Sequence, residues 1–215
     1  MINHKNAMPK PIYNSTYRQE LHHKILKTAM ADFREKGVKA VKMDDVANQL
    51  SISKRTLYEI YHTKEDLLFA CVRNYHEEFE KKLAQEIGPD NNVMDVLISF
   101  MKLHIENSGT TNPLFYSEVQ KYPKVKKYIA NRNEENRSKS IAFLTRGVNE
   151  GYFRSDVNYE IINLMTEVFM KHVMDTELYR SYPLTTIFKD FFVTILRGVC
   201  TQQGIALIDN FKIRG

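Results

Sequence analysis

Glycine and proline are scarce, eight and six in 215 residues, too few to punctuate the many short strands and turns of a sandwich or barrel. No stretch alternates polar and apolar residues for long, so the chain reads as all-α. Cysteine is scarcer still. Cys71 and Cys200 stand alone inside apolar helical patterns without CxxC spacing. That excludes a disulfide framework and leaves buried free thiols suited to a reducing cytoplasm. No uncharged apolar run approaches the ~20 residues a spanning helix needs. The longest, near the C-terminus, is broken by Lys189, Asp190 and Arg197, so no membrane partner is expected. Residues 1–17 hold Lys5, Pro9, Lys10 and Pro11 but no apolar core, unlike a signal peptide, and are expected as a flexible basic arm that brushes a polyanion. Catalytic signatures are missing too. There is no Gly-rich phosphate loop, no HExxH and no Cys/His cluster, and the adjacent His22 and His23 fall on different helix faces. Neither an enzyme nor a metal or cofactor is implied.

Hydrophobic content of 43% with 27% charge is that of an ordinary soluble globular chain, long enough for one large or two small domains. The net charge of +5 is unevenly placed. Residues 1–66 carry 12 Lys and Arg against 8 Asp and Glu, the remainder 19 against 18. A polyanion partner explains the asymmetry, and a solvated basic face is the alternative.

The basic segment contains KMDDVANQLSISKRTLYEIYHTKED, residues 42–66, which reads as two short helices joined by a tight turn. The first runs from about Asp44 to Leu50, with Val46, Ala47 and Leu50 on its inner face. Ile52 is apolar in the polar turn Ser51-Ile52-Ser53 and is expected between the helices, while Ser53 caps the second. That helix opens with Lys54-Arg55-Thr56, and in a helix-turn-helix its start enters the major groove. Leu57 and Ile60 turn inward. Lys54, Arg55 and Thr56 are expected on bases or phosphates, Tyr58, Tyr61 and His62 on the DNA backbone. Thr63 with Asp66 reads as a capping box that opens a further helix, with Lys64 on a phosphate.

At these residues the chain resembles the TetR family of bacterial transcriptional regulators. Ile25-Leu26, Ala29, Phe33 and Gly37 look like the family's first helix and its glycine stop. Asp45-Val46-Ala47 look like its second, Ser53 with Thr56-Leu57-Tyr58 like its recognition helix, and Lys64-Glu65 with Leu67 like the start of its fourth. Lys42, Ser51 and Tyr61 stand where threonine, glycine and phenylalanine are common. Lys42 replaces a capping side chain with a cation able to reach a phosphate. The resemblance implies a homodimeric repressor that binds a double-stranded, palindromic operator and is released by a small-molecule effector.

Beyond the motif, Leu67, Leu68, Cys71, Val72, Tyr75, Phe79, Leu83 and Ile87 recur at helical spacing until Gly88-Pro89 stops the helix. Further helices are expected over residues 93–105, 114–121 and 124–150, with a loop over 107–112. The last two helices, residues 159–174 and 185–202, carry apolar residues on more than one stripe. Either they form a central core, or they pair with a second copy as a four-helix bundle, as the resemblance also implies. Phe100, His104, Tyr116, Phe143, Phe169 and His172 supply the aromatic walls and polar tips of a small-molecule site, or else plain core. The domain reading is an arm over 1–17, a helix-turn-helix domain over 18–66, and a helical regulatory and dimerisation domain over 67–215. Function then divides into a ligand-released DNA-binding repressor and an interaction protein that uses this fold through a protein partner without ligand gating.

Overall fold

Leu21, Ile25, Ala29 and Phe33 recur every four residues and are all buried, a single apolar stripe that makes α1, Tyr13–Lys36, the base of the first core. The computed structural model of the protein describes residues 13–108 and 111–210. Among the described residues nine further helices follow α1: α2 Met43–Gln49, α3 Lys54–Ile60, α4 Lys64–Glu86, α5 Val93–Ser108, α6 Pro113–Val119, α7 Pro123–Asn149, α8 Tyr159–Asp175, α9 Leu184–Val199 and α10 Gln202–Asn210. A 3-10 turn, Leu178–Arg180, separates α8 from α9. Among the described residues the only extended pairing is a bridge between Phe153 and Cys200. The chain is all-α.

The first core gathers Ile25 and Phe33 of α1, Val46 of α2, Leu57 of α3 and Leu67, Leu68, Cys71 and Val72 of α4, together with Phe115, Val119 and Val125 from α6 and α7. It crosses the boundary expected at residue 66, because the first two turns of α4 complete the helix-turn-helix core. Asp32 is buried but satisfied. Its carboxylate accepts from Lys36 Nζ and from Gln49 Nε2, each at 2.6 Å, and so ties α1 to α2. Gly37 ends α1 with φ +82°, and a Cβ there would come within 3.1 Å of Glu118 Oε2 and 3.3 Å of Leu114 Cβ. The glycine thus serves both the left-handed turn and the close approach of α6.

Two smaller clusters organise the rest. Val93, Met94, Phe153, Val199, Cys200 and Ile208 form one, and Val173, Leu184, Ile187 and Phe188 form the other. The helix α7 docks on α4 through Arg132 and Glu80 at 2.6 Å. Its first turn is held by Glu65, which accepts from the Lys124 N–H at 2.8 Å.

Three expectations change. Residues 13–17 of the expected arm belong to α1, and residues 1–12 lie outside the described residues. The expected loop over 107–112 starts later, because α5 runs to Ser108, and residues 109–110 lie outside the described residues. The final helix breaks at Cys200 and restarts as α10, because Thr201 is drawn away. Its N–H donates to the Tyr152 carbonyl at 2.9 Å and its hydroxyl to the Gly151 carbonyl at 2.8 Å.

Candidate functional site

The α2–α3 unit is built by local capping. The Lys42 N–H donates to Asp45 Oδ2 at 3.0 Å, so the carboxylate caps the start of α2 and the exposed Lys42 side chain is left to solvent. The turn is made at Ser51, φ +53°, a left-handed conformation that a serine adopts at some cost. Ile52 is half-buried against the first core. Ser53 Oγ accepts from the Thr56 N–H at 3.0 Å and starts α3.

On α3, Leu57 is fully buried and Lys54, Arg55, Tyr58 and Glu59 are exposed. Neither base stands alone. Lys54 pairs with Asp44 across the motif, and Arg55 Nε donates to Glu59 Oε1 at 2.8 Å. The acid contacts raise both pKa values above the ordinary range. Exposed pairs of this kind are weak, so phosphates or base edges can displace the acids. His62 is exposed and its Nδ1 donates to the Tyr58 carbonyl at 3.1 Å. Lys42, Ser53, Lys54, Arg55, Tyr58 and His62 are exposed, and Thr56 is half-buried beside them.

Two expected contacts are placed elsewhere. Tyr61 does not face outward. Its ring is buried in the first core, edge-on to His22 at 5.8 Å between centroids, with its hydroxyl 3.3 Å from His22 Nδ1. Burial pushes its pKa up to about 12. The residue occupies a phenylalanine-like core position. Lys64 is half-buried and its Nζ donates to the Lys39 carbonyl at 3.3 Å, bracing the α1–α2 connection. Partial burial lowers its pKa below the ordinary lysine value.

In the C-terminal part, α5, α7, α8 and α9 line a partly open cavity of about 530 Å³, within the range of small-molecule sites. Phe100, His104 and Phe143 line it; Tyr116, Phe169 and His172 do not. Tyr116 packs edge-on to Phe115 at 5.6 Å, and Phe169 stacks on Phe191 at 4.0 Å. His172 is exposed in the last turn of α8. All three were expected there by residue type, but Tyr116 sits on α6, outside the four helices that form the cavity, and Phe169 and His172 fall on α8 away from its lining residues. His104 lines the cavity and is accessible there. It stacks on Phe100 at 5.8 Å and lies near Phe79 and Phe188, and this desolvation lowers its pKa, favouring the neutral ring.

The wall that sequence reasoning missed is the α8 stripe Tyr159, Ile162, Asn163 and Thr166. Its signal was present as spacing of three and four, with two polar residues inside an otherwise apolar helix face. A second stripe on α8, Ile161, Leu164, Met165 and Val168, is 53–60% exposed. Phe192 and Ile195 of α9, by contrast, line the cavity.

Residues 25–71 match the family described as bacterial regulatory proteins, tetR family. The chain is 24% identical over 143 residues to the HTH-type transcriptional repressor KstR2 of Mycobacterium tuberculosis, covering 64% of this chain and 72% of that protein. The solved structure of that ketosteroid transcriptional regulator superposes with a TM-score of 0.58 over 85% of this chain and 96% of its own, at 20% identity. A putative transcriptional regulator from Saccharomonospora viridis, solved in complex with choline, superposes at 0.67 with 16% identity, covering 86% of this chain and all of the other (100%). The fatty acid degradation regulator FadR from Bacillus halodurans superposes at 0.62 with 16% identity, over 81% and 94% of the two chains. The chain carries the DNA-binding domain of the TetR family on a TetR-like helical fold, and by class it is a DNA-binding transcriptional regulator.

Proposed function

We propose that this TetR-family regulator is a cytoplasmic homodimeric repressor that holds a palindromic operator and lets go when a small apolar molecule enters the C-terminal cavity. The observation that carries the reading is the cavity itself, because it abuts the helix that leads to the DNA-binding unit. Phe79 of α4 packs edge-on to Phe100 at 5.6 Å and lies 6.5 Å from His104, both in the cavity wall. Two turns earlier the same helix is locked into the first core through Cys71 and Val72. An occupant that moves Phe100 or His104 therefore tilts α4 and with it α3.

On this reading residues 18–72 form the DNA-binding unit, the rest of the chain regulates it, and the exposed stripe of α8 is the face that a second copy covers. Lys54, Arg55 and Thr56 read bases or phosphates, with Lys42, Ser53, Tyr58 and His62 on the flanking backbone. A dimer sets two α3 helices on successive major-groove faces, about 34 to 36 Å apart. The ligand must prefer the spacing that does not fit DNA, and a difference of ~1 to 3 kcal/mol between the two states gives about 5- to 150-fold relief. The repressor assignment of the relative supports the direction of control.

Selection of bound fragments from genomic DNA tests the first half: recovery of a palindrome is the expected result, and no enrichment overturns it. Titration of the recovered operator complex with apolar metabolites tests the second. Loss of affinity with a matching rise in melting temperature is expected, and unchanged operator affinity across the panel overturns gating.

A further inference from the structure

The cavity is sorted by polarity along its length. Val93 and Met94 at the start of α5 share a cluster with Val199 at the end of α9, whereas His104, further along α5, lies 6.5 Å from Phe188 in the second turn of α9. The two helices therefore run antiparallel past the cavity, and its ends differ. Towards Val199 the α9 wall is Phe192, Ile195 and Leu196; towards the start of α9 it is Thr185, Thr186 and Lys189. The facing helices keep the same order. Phe143 and Leu144 of α7 and Ile162 of α8 pack on the Val199 cluster, while Ser140 and Thr166 line the wall about one helical turn nearer the other end. Some polar groups are closed to a ligand. The Thr166 hydroxyl donates to the Ile162 carbonyl at 2.9 Å and the Tyr159 hydroxyl to the Arg154 carbonyl at 2.6 Å, and Asn163 Nδ2 is buried out of reach. His104, Ser140, Thr185, Thr186 and Lys189 stay accessible. Thr185 and Lys189 stand one turn apart on the same face of α9. Lys189 is the one formally charged side chain of the wall, no carboxylate lines it, and it forms no ion pair among the described residues. An unbalanced positive charge beside open hydroxyls favours an anion and disfavours a cation.

Building on the reading of this cavity as an effector site, we infer that its ligand is an anionic amphiphile whose acidic head sits at the start of α9 against Lys189 and whose apolar tail runs along α9 towards Leu196. Lys189 supplies the counter-charge, and the hydroxyls of Thr185 and Ser140 donate to the remaining head oxygens. From Lys189 to Val199 is ten residues, about 15 Å of helix, along which an extended tail lies. The reverse orientation buries an acid among Leu97, Ile162 and Leu196, where no donor or cation meets it. The head rests where the wall touches α4, because His104 packs edge-on to Phe79.

Dodecanoate, dodecanol and dodecyltrimethylammonium share one tail and differ in the charge of the head. Each is titrated calorimetrically into the full-length protein below its micelle concentration. Dodecanoate is expected to bind about 5-fold tighter than dodecanol, as a partly exposed ion pair provides, and the ammonium should bind worst. Lys189→Met, which keeps an apolar stem, should bring dodecanoate down to the level of dodecanol, and Lys189→Arg should keep the preference. Leu196→Trp, which fills the far end, should weaken dodecanoate more than octanoate, whose shorter tail stops before it. Equal binding of acid and alcohol to the wild type, tightest binding by the ammonium, or an acid preference that survives Lys189→Met overturns the anionic head at Lys189 and leaves the cavity reading standing. Equal weakening of octanoate and dodecanoate by Leu196→Trp overturns the orientation. Failure of all three matched probes to bind overturns the cavity as an effector site. The Lys189 variants, at an exposed position, decide the head assignment even if Leu196→Trp does not fold.

Discussion

The backbone N–H of Asn112 donates to the carbonyl of Arg34 at 2.6 Å, joining the end of α1 to the start of α6. The same residue completes both helix termini. Its Oδ1 accepts from the Leu114 N–H at 3.0 Å, and its Nδ2 donates to the Glu35 carbonyl at 3.1 Å. Glu118, one turn after the α6 start, accepts from the Lys39 N–H at 2.7 Å. A shift of α6 is therefore felt directly at the base of the helix-turn-helix.

Asn112→Ala removes the cap and the Glu35 contact but keeps the backbone bond. It should lower stability by ~1 kcal/mol in denaturant unfolding. It should also weaken the effect of a cavity ligand on operator affinity more than operator affinity itself. An unchanged ligand response in a destabilised variant would show that α6 carries no signal.

The recognition helix should behave as a pair of guarded bases. Arg55→Ala is expected to lower operator affinity by about 5- to 100-fold and relax specificity, whereas Lys42→Ala should weaken all sequences alike and reduce the salt slope by about 1. Glu59→Gln frees Arg55 from its acid and should tighten binding to unrelated DNA. Filter binding across a salt series measures all three, and equal small losses for Arg55→Ala and Lys42→Ala on every sequence would remove Arg55 from base reading.

Tyr61 should matter to folding rather than to DNA. Tyr61→Phe is expected to leave operator affinity unchanged, while Tyr61→Ala should cost ~3 to 5 kcal/mol of stability through the cavity it opens. The hydroxyl titrates near pH 10 when unfolded and at about 12 when folded. A raised folded pKa means that the folded state favours the protonated phenol. Its stabilisation is complete below pH 10 and fades as pH climbs towards 12. Melting curves across that window should show the loss in the wild type and less of it in Tyr61→Phe. A phosphate contact would appear instead as a DNA-binding defect of Tyr61→Phe.

Assembly should depend on the outer stripe of α8. Leu164→Glu or Val168→Glu is expected to yield monomers in sedimentation with reduced operator affinity, since each places a charge on an exposed apolar face. Phe192→Ala should alter cavity binding and leave the sedimentation coefficient alone. A wild-type monomer at micromolar concentration would remove the homodimer.

The legible parts of the molecule are those fixed by near neighbours in sequence. The positions Ile25, Ala29 and Phe33, the caps at Ser53 and Thr63 and the stop at Gly37 all act within three or four residues, so the all-α fold and the helix-turn-helix stand as the sequence reads. Ser51 also announced itself as a serine in a glycine's place, and its positive φ is the structural counterpart. Tyr61 was misplaced because residue type suggested a surface hydroxyl, although the family's phenylalanine at that position already marked core. The pairing of Lys54 with Asp44 depends on how two helices cross. The cavity depends on which faces of four helices meet, and the chemistry of single residues does not encode that. Selecting aromatics therefore found Phe100, His104 and Phe143 but passed over Asn163. The break at Cys200 rests on Thr201 bonding to Tyr152, a contact between distant parts of the chain.

The two stripes of α8 make it a party wall. Ile162 and Asn163 look into one chamber, Leu164 and Met165 look out of it, and all four lie within little more than one turn of a helix about 10 Å thick. Whatever fills the chamber leans on the same turn that a neighbouring copy would grip. Occupancy and association are then linked quantities, bound by reciprocity: if the ligand changes the dimer constant by some factor, diluting the protein changes the ligand's affinity by the same factor. Effector sensitivity in a cell would then be tuned by how much of the regulator the cell makes.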